Sequence, residues 1–198
     1  MTRNSDRSPD ELCGVKGASR TFERGQFVFR RGDAAGTVYR IETGRLRLER
    51  HLADGAAVTL AVLGPGDLVA EAALFSDVYH CDARAEIGSR LLAYPKSEVL
   101  AGLEREPEAL LKWSRHLASQ VRRLRALLEL RSIKRADDRV LSYLELQEAL
   151  GETWNGDRPS SAIAAEIGLT PEALYRTLAR LDRQGEIHRR GPKVERKS

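Results

Sequence analysis

Between Ser160 and Ile187 the chain reads SSAIAAEIGLTPEALYRTLARLDRQGEI, a pattern that leaves room for two short helices and a tight turn between them. Ile163 and Ile167, then Leu174, Leu178 and Leu181, recur at the spacing that buries one helical stripe, with Gly168 between the two sets. Thr170 predicts an N-cap and Pro171 a first helical position, where the missing N–H costs nothing, while Gly185 predicts a left-handed stop. Burying the three leucines turns Glu172, Arg176, Ala179, Arg180 and Arg183 outward, with Tyr175 on the flank. Such a helix fits a DNA major groove, because Arg pairs with both acceptors of a guanine edge and Glu accepts from a cytosine amino group. A solvated face on a structural helical hairpin carries the same charges, so the rest of the chain has to decide between the two.

The 198 residues suffice for one medium domain and a small one, and 41% of them are hydrophobic, an ordinary value for a globular protein. Net charge is +4 and the pI near 9.3, a mild excess that does not by itself require a polyanionic partner. Its distribution says more. From Arg176 onward eight cations (Arg176, Arg180, Arg183, Arg189, Arg190, Lys193, Arg196, Lys197) face three anions (Asp182, Glu186, Glu195), a patch suited to phosphate. Cys13 and Cys81 lie far apart and outside any CxxC pattern, which argues for neither a disulfide framework nor a four-thiolate cluster and fits a reducing cytoplasm. The polar start MTRNSDRSPDE lacks a signal-peptide core, and no apolar run approaches the ~20 residues that span a bilayer, so a soluble cytoplasmic protein without a membrane partner is expected.

Four segments are expected. Residues 1–20 form a loosely ordered lead. Residues 21–106 form a small antiparallel barrel or jelly roll, with strands at Gln26 to Phe29, Thr37 to Ile41, Leu46 to Leu52, Val58 to Leu63 and Leu91 to Tyr94, and turns such as Asp54-Gly55 between them. Residues 107–134 form a long helix in which Leu110, Ser114, Leu117, Val121, Leu124, Leu128 and Arg131 recur at alternating four- and three-residue steps, a coiled-coil seam. Cations at Arg115, Arg122, Arg123 and Arg125 flank this narrow stripe and imply exposure on both sides, so self-association through Leu110, Leu117, Val121, Leu124 and Leu128 is expected; packing on the chain's own barrel is the alternative. Residues 135–198 add a helix near Ala136 to Leu150 with Val140, Leu141 and Leu144 inward, the two-helix unit, and a basic hairpin around Gly191-Pro192 that reads as a wing.

Barrel, long helix and winged helix-turn-helix in that order resemble the cyclic-AMP receptor protein and FNR family of bacterial transcription regulators. The likeness covers nearly the whole chain from about Phe22. It rests on RTFERGQFVFRRGDAAGTVYRIETGRLRLER as opening barrel strands, GPGDLVAEAALFSD as the phosphate-cassette segment and IAAEIGLTPEALYRTLARLDRQGEI as the DNA-reading motif. The resemblance implies an α+β chain: an N-terminal cyclic-nucleotide-binding-like β jelly-roll barrel serving as sensor, a dimerisation helix and a C-terminal winged helix-turn-helix. It implies double-stranded DNA and a second copy of the chain as partners, and it admits RNA polymerase. Glu172 and Arg176 match the family's base-reading Glu and Arg. Pro171 replaces a residue that supplies a further Arg in cyclic-AMP-responsive members, and Tyr175 stands where small residues are common, so the preferred half-site is expected to differ. Ser160 and Thr170 join the DNA-contacting set, with Arg180 and Arg183 as phosphate contacts.

In nucleotide-binding members the cassette carries Gly-Glu near its start and Arg-Ser near its end. Here Glu71 is kept, Ala70 replaces the glycine, and Cys81 and Asp82 replace Arg and Ser. An acidic Asp82 without the Arg repels a phosphate, so Glu71, Cys81 and Asp82 outline a degenerate effector pocket that is not expected to take cyclic AMP. A haem-based sensor in the family draws Cys and His ligands from this neighbourhood, which keeps a haem- or redox-sensing role for His80 and Cys81 as an alternative; otherwise no cofactor or metal is expected. Adjacent strand residues point to opposite faces, which counts against a shared site. An FNR-type iron–sulfur cluster needs an N-terminal cysteine set that the chain lacks. No enzyme is expected, because His51, His80, His116 and His188 are scattered and no nucleophile motif, P-loop or dinucleotide fingerprint occurs. A dimeric interaction module without DNA affinity is the third class.

Overall fold

The computed structural model describes residues 11–52, 55–151, 153, 154, 156 and 158–197. They divide into two compact units, 1–116 and 117–198, with one long helix continuing from the first into the second.

The first unit is a jelly roll of two four-stranded antiparallel sheets. Strands β3 (Ala18–Phe22), β10 (Ser89–Pro95), β5 (Thr37–Thr43) and β8 (Leu68–Val69) form one sheet in that order, and β4 (Phe27–Phe29), β9 (Asp82–Ala85), β6 (Leu46–His51) and β7 (Ala57–Leu63) form the other. Alternation drives the fold: in β9 Ala83 and Ala85 are buried while Asp82 and Arg84 face out, and Leu46, Ile41 and Leu91 fill the space between the sheets. All five expected strands agree to within two residues at either end. Asp54 of the expected Asp54-Gly55 turn lies outside the described residues.

Two expectations need correction. Residues 11–20 are not a loose lead: β1 (Glu11–Leu12) and β2 (Val15–Lys16) form a hairpin, and β3 pairs along β10 from Ser89↔Phe22 to Ala93↔Ala18. Leu12 and Val15 are buried, so this segment contributes core despite its polar composition. A helix, α1 (Lys96–Arg105), follows the barrel where none was expected, and Val99 and Leu103 bury its apolar side.

Helix α2 (Pro107–Ser132) is 26 residues long. Its first part buries Ala109 and Trp113 within the first unit, and Leu130 near its end enters the core of the second. The expected seam lies on another side: Leu110, Val121, Leu124 and Leu128 are exposed, Leu128 by 64%, and Leu117 is half-buried. No helix among the described residues is long and apolar enough to cross a membrane.

In the second unit α3 (Ala136–Ala149), α4 (Ser160–Glu166) and α5 (Pro171–Gln184) are followed by the hairpin β11 (Ile187–Arg190) and β12 (Lys193–Arg196). One core joins all of them, with Val140, Tyr143 and Leu144 from α3, Ile163 from α4, Leu174, Leu178 and Leu181 from α5, and Ile187 and Val194 from the hairpin. This is a winged helix-turn-helix.

Candidate nucleic-acid interface and barrel cavity

The start and end of α5 are set by the residues the sequence singled out. The Thr170 hydroxyl accepts from the Ala173 N–H at 3.1 Å, Pro171 occupies the first turn, and Gly185 ends the helix at φ 73°. Leu174, Thr177, Leu178 and Leu181 are buried, and Glu172, Tyr175, Arg176, Ala179 and Arg183 are exposed. The Glu172 carboxyl is held below the usual carboxylate range by its own backbone N–H at the helix N-terminus and by the Thr170 hydroxyl, with Arg176 adding opposite charge. Glu172 and Arg176 therefore present an ionised acceptor and a five-donor fork one helical turn apart, as base-edge readout requires. Tyr175 is 53% exposed on the same face, and the Arg183 Nε donates back to the Ala179 carbonyl at 3.2 Å.

Arg180 is placed differently from the expectation of an available phosphate contact. Its Nε lies 3.0 Å from both carboxylate oxygens of Asp137 in α3, and its Nη2 also bonds Asp137 Oδ1. Ser160 is the first residue of α4 and is half-buried; the N-cap is Pro159, and no side chain caps that helix.

Helix α4 is held in place by charge. Glu166 accepts from Arg123 Nη2 of α2 at 2.9 Å and pairs with Arg158 Nη2 at 2.6 Å, while the Tyr143 hydroxyl donates to it at 3.3 Å. Burial pushes the Tyr143 phenol up, so it stays a donor. Arg131 donates to the Ala165 and Glu166 carbonyls, both at 3.1 Å, and Arg139 Nη1 to those of Ile167 and Gly168 at 3.2 and 2.9 Å. These guanidinium groups take the carbonyls that a helix C-terminus leaves open. Two sequence readings change accordingly: Arg123 is a partly buried partner of Glu166 rather than an exposed flank, and Arg131 caps α4 rather than extending the seam. Sequence reasoning missed Asp137, Glu166, Arg158 and Arg139. The available signal was Glu166 itself, the one charged residue between Ser160 and Leu169.

In the barrel the cassette segment is a short 3₁₀ helix, Glu71–Phe75, preceded by Ala70 at φ 67°. That is the left-handed region where glycine is at ease, and Ala there costs about 1–2 kcal/mol. Glu71, Tyr79, His80 and Cys81 line a cavity of about 60 Å³. Pockets that hold drug-sized molecules measure roughly 300–1,000 Å³, several times this volume. Phe29 and Tyr79 line the same cavity: their rings stack at 3.9 Å, and the Tyr79 hydroxyl donates to the Thr37 carbonyl at 2.8 Å. Burial pushes Glu71 above its ordinary value, against its own backbone N–H and the nearby His116 and His80.

Asp82 does not belong to the pocket. It faces out of the barrel, accepts from the Arg31 N–H at 2.7 Å and lies 3.1 Å from His51 Nδ1. Cys81 is buried and burial raises its thiol pKa, whereas His80 is exposed; both border the cavity from the bend that precedes β9. Among the described residues no three His, Cys, Asp or Glu side chains gather as metal ligands.

These features agree with what the chain is similar to. A model of the cyclic nucleotide-binding domain matches residues 19–106. The cyclic AMP receptor protein of Thermus thermophilus is 31% identical over 176 residues, 87% of this chain and 80% of that protein. A CRP-family transcriptional regulator from the same organism, TTHB099, superimposes with a TM-score of 0.59 at 26% identity, covering 89% of this chain and 91% of that one. FixK2 from Bradyrhizobium japonicum shares the fold, with a TM-score of 0.73 at 21% identity and coverage of 93% and 94%. From its barrel, its winged helix-turn-helix and an identity that extends across both, the chain belongs to the cyclic-AMP receptor protein/FNR family of transcription regulators.

Proposed function

We propose that the protein is a homodimeric, sequence-specific DNA-binding transcription regulator of the cytoplasm, without catalytic activity, whose barrel does not respond to cyclic AMP. The observation that carries this reading is helix α5: it is capped at both ends and buried along one stripe, and it presents Glu172, Tyr175, Arg176 and Arg183 on its open face. Rigid support of this kind is what base readout needs, since a base-edge contact discriminates only if its side chain arrives in register. The exposed Leu110, Val121, Leu124 and Leu128, with half-buried Leu117, supply the dimer contact. Residues 107–134 then serve dimerisation and 135–198 DNA binding. Two copies of α5 in a symmetric dimer meet a palindrome with half-sites about 34 Å apart. The barrel of residues 21–106 is a sensor whose nucleotide site is filled by Phe29 and Tyr79, and DNA binding is expected without added ligand.

Selection of bound duplexes from a random pool by the purified protein, without ligand, tests the reading. An enriched palindrome supports it; no enrichment from a protein that sediments as a dimer leaves an interaction module. Leu117→Asn with Leu124→Asn is expected to give monomers by sedimentation, and an unchanged dimer would remove the seam from the interface.

A further inference from the structure

Arg180 stands at the flank of the recognition helix, one turn beyond Arg176, where an unpaired cation would meet the phosphate backbone of any DNA against α5. Its guanidinium is instead held edge-on by Asp137 in the first turn of α3, with Nε 3.0 Å from each carboxylate oxygen. The Asp137 side chain is only 16% exposed and is fixed by its helix, while the Arg180 side chain is 45% exposed. Asp137 thus has two electrostatic effects at this flank. It neutralises a recognition-helix cation, and it places a carboxylate in the first turn of α3, the end of a helix that would otherwise favour an anion.

Resting on the DNA-binding reading above, we propose that Asp137 sets the strength and salt dependence of duplex binding: by engaging Arg180 it withholds a phosphate contact from the recognition helix, so that a larger share of duplex affinity comes from base edges read by Glu172 and Arg176. Backbone contacts strengthen binding to every sequence alike, whereas base contacts strengthen it to one. Removing a backbone contact therefore lowers both affinities by the same factor, leaves their ratio unchanged, and weakens the hold of non-specific duplex on the protein.

The test is a salt titration of duplex binding with the full chain, using one duplex selected from a random pool and one scrambled duplex. Asp137→Asn is compared with wild type, Arg180→Ala and the double variant, with thermal melting as the folding control. Asp137→Asn is expected to tighten binding to the scrambled duplex roughly five- to tenfold near 0.1 M salt and to steepen the slope of log K against log salt by about 0.9, the value of one phosphate contact. Adding Arg180→Ala should cancel both changes, and Arg180→Ala alone should leave the wild-type slope in place. If Asp137→Asn does not fold, Asp137→Ser carries the same comparison. An unchanged slope in the Asp137 variant overturns the proposal, as does a shallower slope in Arg180→Ala alone, which would place Arg180 on phosphate already. Failure of wild type to bind either duplex at any salt is a different result: it overturns the DNA-binding reading itself.

Discussion

The barrel cavity and the open face of α5 are packed in opposite ways. In the barrel Glu71 borders a cavity of about 60 Å³ that the stacked rings of Phe29 and Tyr79 also line. In the winged helix the apolar residues stay inside, and Glu172, Arg176 and Arg183 stand in water on an open face. On the reading proposed above, a binding site is lost when volume is filled even if a charged member remains. It is kept when packing confines itself to the opposite side of the same element. Glu71 shows the first case, a carboxylate left in a place where burial disfavours its charge.

The largest effect that would sharpen this contrast is expected from Phe29→Ala. Removing a buried ring from the filled cavity should cost the barrel about 3–5 kcal/mol in denaturant unfolding, and a loss below about 1 kcal/mol would mean that Phe29 is not what packs the site. On the other side, Glu166→Ala leaves Arg123 and Arg158 without their shared carboxylate and should cost the winged helix about 3 kcal/mol, read as a lowered transition of the second unit; no shift would show that α4 is held by its apolar contacts alone. Arg176→Ala should change no stability but weaken binding to the selected duplex by about 1–3 kcal/mol and relax choice at one base pair. Equal discrimination by this variant would take Arg176 out of the base-reading set.

The smallest effect concerns Glu71. Its pKa is raised in the folded barrel above the ordinary carboxyl value, chiefly by burial, so the ionised form at neutral pH is less favourable folded than unfolded. The barrel should therefore gain stability as pH falls from neutral through the raised value, until the ordinary carboxyl value is passed. Glu71→Gln should raise the melting temperature at pH 7 and remove that part of the pH dependence. A lower melting temperature would give Glu71 a stabilising partner and break the contrast between a cavity that disfavours its carboxylate and an open face that leaves its carboxylate in water.

Glu86 shows the converse case. Burial alone would raise it, but hydrogen bonds from Arg47 and Arg45, at 2.8 Å for Arg45, outweigh burial and lower its pKa. Its stabilisation is present above the ordinary carboxyl value and is lost as pH falls through the lowered one. Two carboxylates in one barrel thus move in opposite directions according to whether donors accompany the burial.

Legibility in the sequence followed the range of the interaction. Helix α5 was readable to its caps because Thr170, Pro171 and Gly185 act on their immediate neighbours and the leucine stripe has the helical period. The long helix and the exposure of Leu110, Val121, Leu124 and Leu128 were readable for the same reason. The N-terminal strands were not: Ala18 to Phe22 has little alternation of its own and becomes a strand by pairing with β10, some 70 residues away. Asp82 was misplaced because sequence alone does not give the phase of a strand, and only its pairing shows that Cys81 and Ala83 point in.

By itself, then, the sequence determined the order of barrel, long helix and winged helix, the ends of the recognition helix and the residues on its open face, all of them consequences of local period and turn chemistry. Tertiary structure alone decided which charges remain available. Asp137 meets Arg180 across 43 positions, Glu166 gathers Arg123 from 43 positions earlier, and Tyr79, in the segment before β9, lies on Phe29 of β4. Those pairings arise because packing apolar stripes brings distant polar residues to shared edges, where each charge must find a partner or stay in water.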